Sequence, residues 1–189
     1  MASALLVLGL TSAWKTGAAL AAPAPRSPAG KTATGEALRK TPSGLDVPRY
    51  VSLKFGEVNA RAGPGDDYKV LWTYRVRGLP LQVIAETSDY RRVCDPEGAV
   101  AWVHQRSVDN VRRTAMRLAA EPLPIRRHPD PKAPVVALLA GRALAGLGMC
   151  RDDWCQVTVG RAKGWVPADG LWGTASAPQC RPGLARPSP

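Results

Sequence analysis

Two stretches of the sequence repeat the same landmarks, and this repeat constrains the fold more than any other feature. Each stretch begins with an acidic residue, reaches an arginine (Arg61, Arg126) and turns at a proline three residues later (Pro64, Pro129). The spacing between matching landmarks drifts only from 65 to 62 residues along the whole length. The chain therefore contains two copies of one unit, each of roughly 55–60 residues. The later matches are SDYRRV at 88–93 with DDWCQV at 152–157, AWV at 101–103 with GWV at 164–166, and SVDN at 107–110 with DGLW at 169–172.

Each copy consists of short alternating apolar runs separated by turns, which is typical of consecutive β-strands. The turn CDPEGA at 94–99 is expected to join two of these strands as a hairpin. Period-2 alternation places Tyr90 and Arg92 on one face of their strand and Arg91 and Val93 on the other. The predicted strands are 79–87, 90–94 and 100–104 in the first copy, and 143–150, 154–159 and 163–168 in the second.

Three stretches of the first copy, VNARAGPGDDYKVL, LPLQVIAETSDYRRV and AWVHQRSV, resemble the bacterial SH3 (SH3b) domain family, and in particular the tandem SH3 proteins exported by proteobacteria. The resemblance covers about residues 48–173. It implies an SH3-like barrel, a ligand groove lined by aromatic side chains, and frequent association with cell-wall peptidases. The second copy departs from the family pattern at His128, which replaces a glycine, and the first copy departs at Ala101.

The expected architecture is all-β, with two tandem small SH3-like barrels at 46–111 and 112–173. Residues 23–45 and the tail 174–189 contain almost no large apolar side chains, so we predict a disordered linker and a disordered C-terminal tail. The junction 112–124 contains Met116 and Leu118, and it is either a linker or a strand shared between the barrels.

The N-terminal residues 1–22 predict a signal peptide, because an apolar run is followed by the small-x-small pattern of a cleavage site. Two features oppose this interpretation: no basic residue follows Met1, and Lys15 interrupts the apolar stretch. The alternative is an alanine-rich N-terminus without an export role. The segment contains too few apolar residues for a transmembrane span, which needs about 20 apolar residues in a row. We therefore expect a periplasmic or secreted protein.

The four cysteines fit an oxidising compartment. Cys150 and Cys155 flank a short polar turn, so facing strand positions predict a disulfide between them. A zinc site is the alternative, but no second Cys or His pair has suitable spacing, and no metal is expected. Cys94 and Cys180 have no obvious partner, and a bridge between them is left open.

The glycine-rich stretch AGPGDD at 62–67 raises the question of nucleotide binding. It matches neither phosphate-loop motif, because Pro64 removes a backbone donor and two aspartates would repel a phosphate. We interpret it as the first long loop of the barrel, with Gly63 and Gly65 supplying turn conformations. No cofactor is expected.

An enzymatic function is not predicted. Cys94 and His104 are the only nearby Cys–His pair, and they lie on consecutive strands of one small hairpin without a third orienting group. The residues outside the two barrels are also too few for a peptidase domain. No catalytic residue is assigned.

The candidate sites are aromatic side chains of the groove that the resemblance implies. Tyr90 and Trp154 are favoured because alternation places them outward, whereas Trp102 and Trp165 are equally consistent with a structural role. Ala133 stands where the first copy has Tyr68, so the second groove is poorer in aromatics. The full set of candidates is Tyr68, Trp72, Tyr90, Trp102, Trp154 and Trp165.

The sequence thus predicts a non-catalytic envelope module that binds peptidoglycan or a wall-associated protein. The alternatives are an adaptor for an extended or proline-rich peptide, a nucleic-acid binder, and an auxiliary subunit of a wall hydrolase. More than half of the net charge of +11 lies in the flanks 1–45 and 174–189. A nucleic-acid binder usually concentrates its charge on a folded face, so no specific nucleic acid is expected.

Overall fold

The computed structural model describes residues 41–174 and residue 180, and it shows an all-β protein with two tandem SH3-like barrels. The predicted signal peptide, residues 23–40 of the predicted linker, and positions 175–179 and 181–189 of the tail lie outside the described residues. The helices of the described part are two 3-10 turns, Gln105–Ser107 and Ala168–Gly170. No helix among the described residues is long and apolar enough to cross a bilayer.

The first barrel is a seven-stranded sheet in the order β3-β2-β6-β5-β4-β1-β7. Its core lies on the inner face, where Leu81, Val83, Val93 and Val103 are fully buried. The strands are β1 (Arg49–Leu53), β2 (Val58–Arg61), β3 (Val70–Tyr74), β4 (Pro80–Glu86), β5 (Tyr90–Cys94), β6 (Val100–His104) and β7 (Val108–Asp109).

The second barrel is a six-stranded sheet in the order β10-β9-β13-β12-β11-β8. Its core contains Ile125, Leu139, Val157 and Val166, which are also fully buried. The strands are β8 (Thr114–Met116), β9 (Leu123–Arg126), β10 (Val135–Leu139), β11 (Leu144–Arg151), β12 (Trp154–Val159) and β13 (Ala162–Pro167).

Local polar contacts explain the hairpin between β5 and β6. The buried carboxylate of Asp95 accepts hydrogen bonds from the backbone amides of Glu97 and Ala99 at 3.0 and 2.9 Å. Gly98 has φ of 87°, a left-handed conformation that glycine adopts without steric cost. The CDPEGA turn therefore closes as the sequence predicts.

Two segments outside the predicted strands are part of the folded structure: one predicted as a disordered linker, and the junction, which the sequence left open between a linker and a shared strand. Residues 41–45, assigned to a disordered linker, form a turn in which the Gly44 amide donates to the Thr41 carbonyl, and the Ser43 amide donates to the Glu86 carboxylate at 2.8 Å. The junction contains β8, which pairs with β11 of the second barrel. Its Thr114 amide also donates to the Ser52 hydroxyl of the first barrel at 2.8 Å, so β8 links the two units.

One cross-strand position is occupied by different chemistry in the two barrels. In the first, Glu86 of β4 lies opposite Arg91 of β5, and their charged groups form an ion pair at 3.1 Å. In the second, the matching residues Cys150 and Cys155 lie opposite each other and form a disulfide. The turn inside that disulfide consists of two aspartates, Asp152 and Asp153, that both have positive φ.

Candidate ligand-binding face

The outer surface of β5 and β6 carries a row of polar and aromatic side chains in the first barrel. Arg92 lies opposite Trp102, and Tyr90 lies opposite His104. On the next strand, Arg61 of β2 also lies opposite Trp102. Since opposed residues of antiparallel strands project from the same side of a sheet, these five side chains share one surface, which we call the Arg–Trp face.

The loop between β2 and β3 folds against this face through Arg61. The Arg61 guanidinium donates to the carbonyl oxygens of Asp66 and Tyr68 at 2.8 and 2.9 Å and lies 3.2 Å from the Asp66 carboxylate. The Tyr68 ring lies directly against Gly63, where an added Cβ would be only 2.2 Å from a ring carbon. The glycine-rich stretch therefore serves to seat the ring of Tyr68.

Tyr90 lies on the outer face, as alternation predicts. The expectation that its ring is open to a ligand is wrong, because the side chain is buried. Its side chain is only 5% exposed because the β2–β3 loop covers it and His104 packs edge-on at 5.2 Å between ring centroids. Its hydroxyl donates to the Asp66 carboxylate at 2.7 Å. Burial, followed by this carboxylate, raises the pKa of Tyr90. Tyr90 thus holds the loop in place and does not offer a free ring.

Trp72 does not belong to the Arg–Trp face. It lies opposite Ala60, which is fully buried, and it packs against the core of the first barrel and edge-on against Tyr74. Its indole N–H is buried and has no hydrogen-bond partner within the described part of the chain. Trp72 lies on the same inward side of β3 as Tyr74, in regular register with Ala60 and Val58 of β2.

The remaining aromatic candidates of the first barrel are open to solvent. The Tyr68 side chain is 45% exposed, and Trp102 is half-buried. The guanidinium of Arg92, beside Trp102, is exposed and has no ion-pair partner among residues 41–174 and 180. Arg92 was not among the candidates, although the alternation of β5 already placed it on the same face as Tyr90.

The second barrel has the corresponding arginine and tryptophan on this face, but the tryptophan ring is covered. Arg126 lies opposite Trp165 and donates to the Ala133 carbonyl at 2.7 Å, as Arg61 does to Tyr68. Trp165 is only 7% exposed, and the Arg151 guanidinium lies over its ring at 4.9 Å from the centroid. Trp154 shares this face and is half-buried. The capping by Arg151 depends on the shape of the β11–β12 hairpin and could not be predicted.

The Cys–His pair considered for catalysis is separated in the structure. Cys94 lies at the end of β5 opposite Val100, whereas His104 lies opposite Tyr90 at the other end of the same strand pair. The Cys94 sulfur is bonded to Cys180 and is therefore not a free thiol. No group of three or more metal-ligating side chains occurs in the part of the chain that the structure describes.

The two copies match a family model described as the bacterial SH3 domain, over residues 54–110 and 119–173. The chain belongs to the bacterial SH3 domain family. In both copies the match begins after the first strand of the sheet, β1 or β8. Bacterial SH3 domains are generally binding modules.

Solved structures similar to this bacterial SH3 protein include NlpC1 and NlpC2 from Trichomonas vaginalis. Each is 10% identical in sequence, with TM-scores of 0.30 and 0.31. The alignments cover 67% and 66% of this chain but only 46% and 48% of the two solved chains, so it spans about half of their length. A comparison with curated proteins gives no match.

Proposed function

We propose that this protein is a non-catalytic module of the bacterial cell envelope that binds peptidoglycan, or a protein attached to it, through the Arg–Trp face of the first barrel. The observation that carries the proposal is the exposed Arg92 next to the half-buried Trp102. An arginine fork matches the carboxylates of peptidoglycan stem peptides, and an aromatic ring offers an apolar surface to a sugar ring. The second barrel, whose Trp165 is capped, supports the first.

The proposal predicts that Trp102→Ala weakens retention on purified sacculi by about tenfold or more, because a tryptophan at the centre of a contact carries a large share of the binding energy. The measurement is a pull-down with protein titrated over a fixed amount of sacculi. Phe55→Ala is the matched control, since Phe55 is an exposed aromatic outside the Arg–Trp face. Equal retention of both variants would assign binding elsewhere, and no retention of the wild type would rule out the peptidoglycan ligand.

A second candidate function is an adaptor that docks an extended or proline-rich peptide. The observation in its favour is β3, which forms an edge of the first sheet and exposes Val70 and Leu71. An exposed edge strand can accept a further strand from a peptide through backbone hydrogen bonds. In the sacculus experiment, an adaptor would lose retention when wall-attached proteins are removed by protease, whereas a peptidoglycan binder would not.

The envelope location rests on the two disulfides, which persist in oxidising compartments. We expect cell fractionation to recover the native protein outside the cytoplasm, and N-terminal sequencing to start near Ala22. Recovery from the cytoplasm with Met1 or Ala2 at the N-terminus would contradict both the export and the wall ligand.

A further inference from the structure

One row of outward side chains is polar in the first barrel and apolar in the second. In the first barrel, Thr73 of β3 lies opposite Asn59 of β2 and donates to its side-chain oxygen at 2.9 Å. On the neighbouring strands, His104 lies opposite Tyr90. The repeat gives each of these four residues a counterpart in the second barrel, and the counterparts are Leu138, Pro124, Pro167 and Trp154.

These four counterparts, which we call the apolar row, cross the second sheet. Leu138 of β10 lies opposite Pro124 of β9, and Pro167 of β13 lies opposite Trp154 of β12. The antiparallel register of β9 with β13 brings the two pairs side by side. Because the adjacent Leu139 fills the core, Leu138 points outward, and it is 61% exposed. The row therefore offers apolar surface where the first barrel has hydrogen-bonded polar groups.

The apolar row ends at β10, which is an edge of the six-stranded sheet. An edge strand leaves backbone N–H and C=O groups without strand partners, and soluble proteins usually protect such edges with charged side chains or proline. The sequence of β10, VVALL, contains neither, and Val135, Val136 and Leu138 are exposed. A bulge at Val136 leaves residues 137–139 in regular register with β9. This edge can accept a further strand, and only a polypeptide supplies the backbone groups that pair with it.

The charged side chains beside β10 are mostly basic. Arg127 and Lys132 lie in the loop that leads into β10, both are exposed, and neither forms an ion pair with a residue in the described part of the chain. The loop has one acidic residue, Asp130, which accepts a hydrogen bond from the Lys132 amide. Lys163 of β13 is exposed at the same end of the sheet. Carboxylates would be attracted to this edge, whereas a second copy of the chain, with a net charge of +11, would be repelled.

We propose that β10 and the apolar row form a docking surface for an extended acidic segment of a partner protein. The segment pairs with the free edge of β10 as an additional strand, places an apolar side chain against Leu138, and directs its carboxylates to Arg127 and Lys132. Backbone pairing supplies the affinity, and the alternate side chains supply the selectivity. The surface is separate from the Arg–Trp face, so the proposal does not depend on the ligand of that face.

The first test measures the binding of short labelled synthetic peptides to the full chain by fluorescence anisotropy. One peptide alternates valine and glutamate, the second alternates valine and lysine, and the third alternates proline and glutamate and so lacks half of the amides that a strand needs. We expect saturable binding of the valine–glutamate peptide, and binding weaker by about tenfold or more for the other two. Absence of saturable binding, or equal binding of either control peptide, would overturn the proposal.

Leu138→Glu tests whether the valine–glutamate peptide binds at β10. The affinity should fall by about tenfold or more, because a carboxylate replaces an apolar contact and repels the peptide. Thr73→Glu makes the same change of charge at the matching position of the first barrel and should leave the affinity unchanged. Far-ultraviolet circular dichroism establishes that both variants keep the fold. Wild-type affinity in Leu138→Glu, or an equal loss in Thr73→Glu, would assign the binding to another surface and overturn the proposal.

Hydrogen exchange on the wild-type protein tests the strand pairing without a substitution. Addition of the valine–glutamate peptide should slow amide exchange in β10, residues 135–139, because the outer amides gain hydrogen bonds. Exchange in β3, the corresponding edge of the first barrel, should stay at its rate in the free protein. Slower exchange in β3 and not in β10, or no change in either strand, would contradict docking at the second barrel.

Discussion

Replacing Glu86 with glutamine is expected to lower the free energy of unfolding by about 3 kcal/mol at neutral pH, because it leaves two buried guanidinium groups without their shared carboxylate. The Glu86 side chain has 0% exposure, with Arg49 at 2.5 Å and Arg91 at 3.1 Å. The chain segment before β1 adds a further hydrogen bond from the Ser43 amide. Urea unfolding followed by circular dichroism measures the loss.

The same substitution should remove an acid-sensitive part of the stability. Burial alone would raise the pKa of Glu86, but hydrogen bonds from Ser43, Arg49 and Thr41 outweigh it and lower the pKa from 4.5 to about 2. The unfolded chain therefore binds this proton more readily than the folded protein. The stabilisation is complete above pH 4.5 and is lost as the pH falls towards 2, which corresponds to a decrease on the order of 3 kcal/mol in the wild type.

Glu57→Gln is the control for both effects. Glu57 pairs with Arg75 on the surface of the same barrel, and the two side chains are 70% and 73% exposed. Exposed ion pairs contribute little, so this variant should change the stability by less than about 0.5 kcal/mol and keep the wild-type pH profile. If Glu86→Gln showed the same decrease between pH 4.5 and 2 as the wild type, another carboxylate would be responsible.

Gly164→Ala is the second large effect that we expect, with a loss of about 2–3 kcal/mol in the second barrel. A Cβ at this position would lie 2.5 Å from the backbone oxygen of Arg126 and 2.7 Å from the Ile125 side chain. Ile125 is fully buried in the core, so neither neighbour can move without displacing β9. Thermal unfolding should show a clear decrease in the transition temperature.

The control for this substitution is Gly146→Ala, in β11 of the same barrel. Its Cβ would meet Thr158 at 3.6 Å, an ordinary contact, so the strand should accept it with little change in stability. Equal losses in the two variants would contradict the close approach at Gly164 as the cause, since backbone entropy alone favours alanine over glycine. The first copy has Ala101 at the corresponding position, and its methyl group is accommodated in the core.

The strands with regular alternation were predicted well, and those defined by tertiary contacts were not. The expected spans 90–94, 100–104 and 154–159 coincide with β5, β6 and β12. Here the inward side chains form the core and Asp95 closes the turn between β5 and β6. By contrast, the turn at 41–45 is polar and β8 is only three residues long, and both are ordered by hydrogen bonds to residues distant in the chain.

The candidate site was predicted in part for a similar reason. Alternation assigns the face of a side chain correctly, as for Tyr90 and Trp154, but it contains no information about what covers that face. The β2–β3 loop buries Tyr90, and Arg151 caps Trp165. Trp72 lies on the inward side of β3 together with the buried Tyr74, so it packs on the core and does not line the groove.

The matching cross-strand pairs, Glu86–Arg91 in the first barrel and Cys150–Cys155 in the second, determine which conditions destabilise each hairpin. An ion pair at Glu86–Arg91 is weakened by protons and unaffected by thiols, whereas the Cys150–Cys155 bond resists acid and is cleaved by thiols. The matching hairpins of the two barrels therefore differ in the reagent that disrupts their cross-strand pair. Acidification in an oxidising medium is expected to loosen the first hairpin alone, so the second barrel would stay folded through an acid exposure that disables its neighbour.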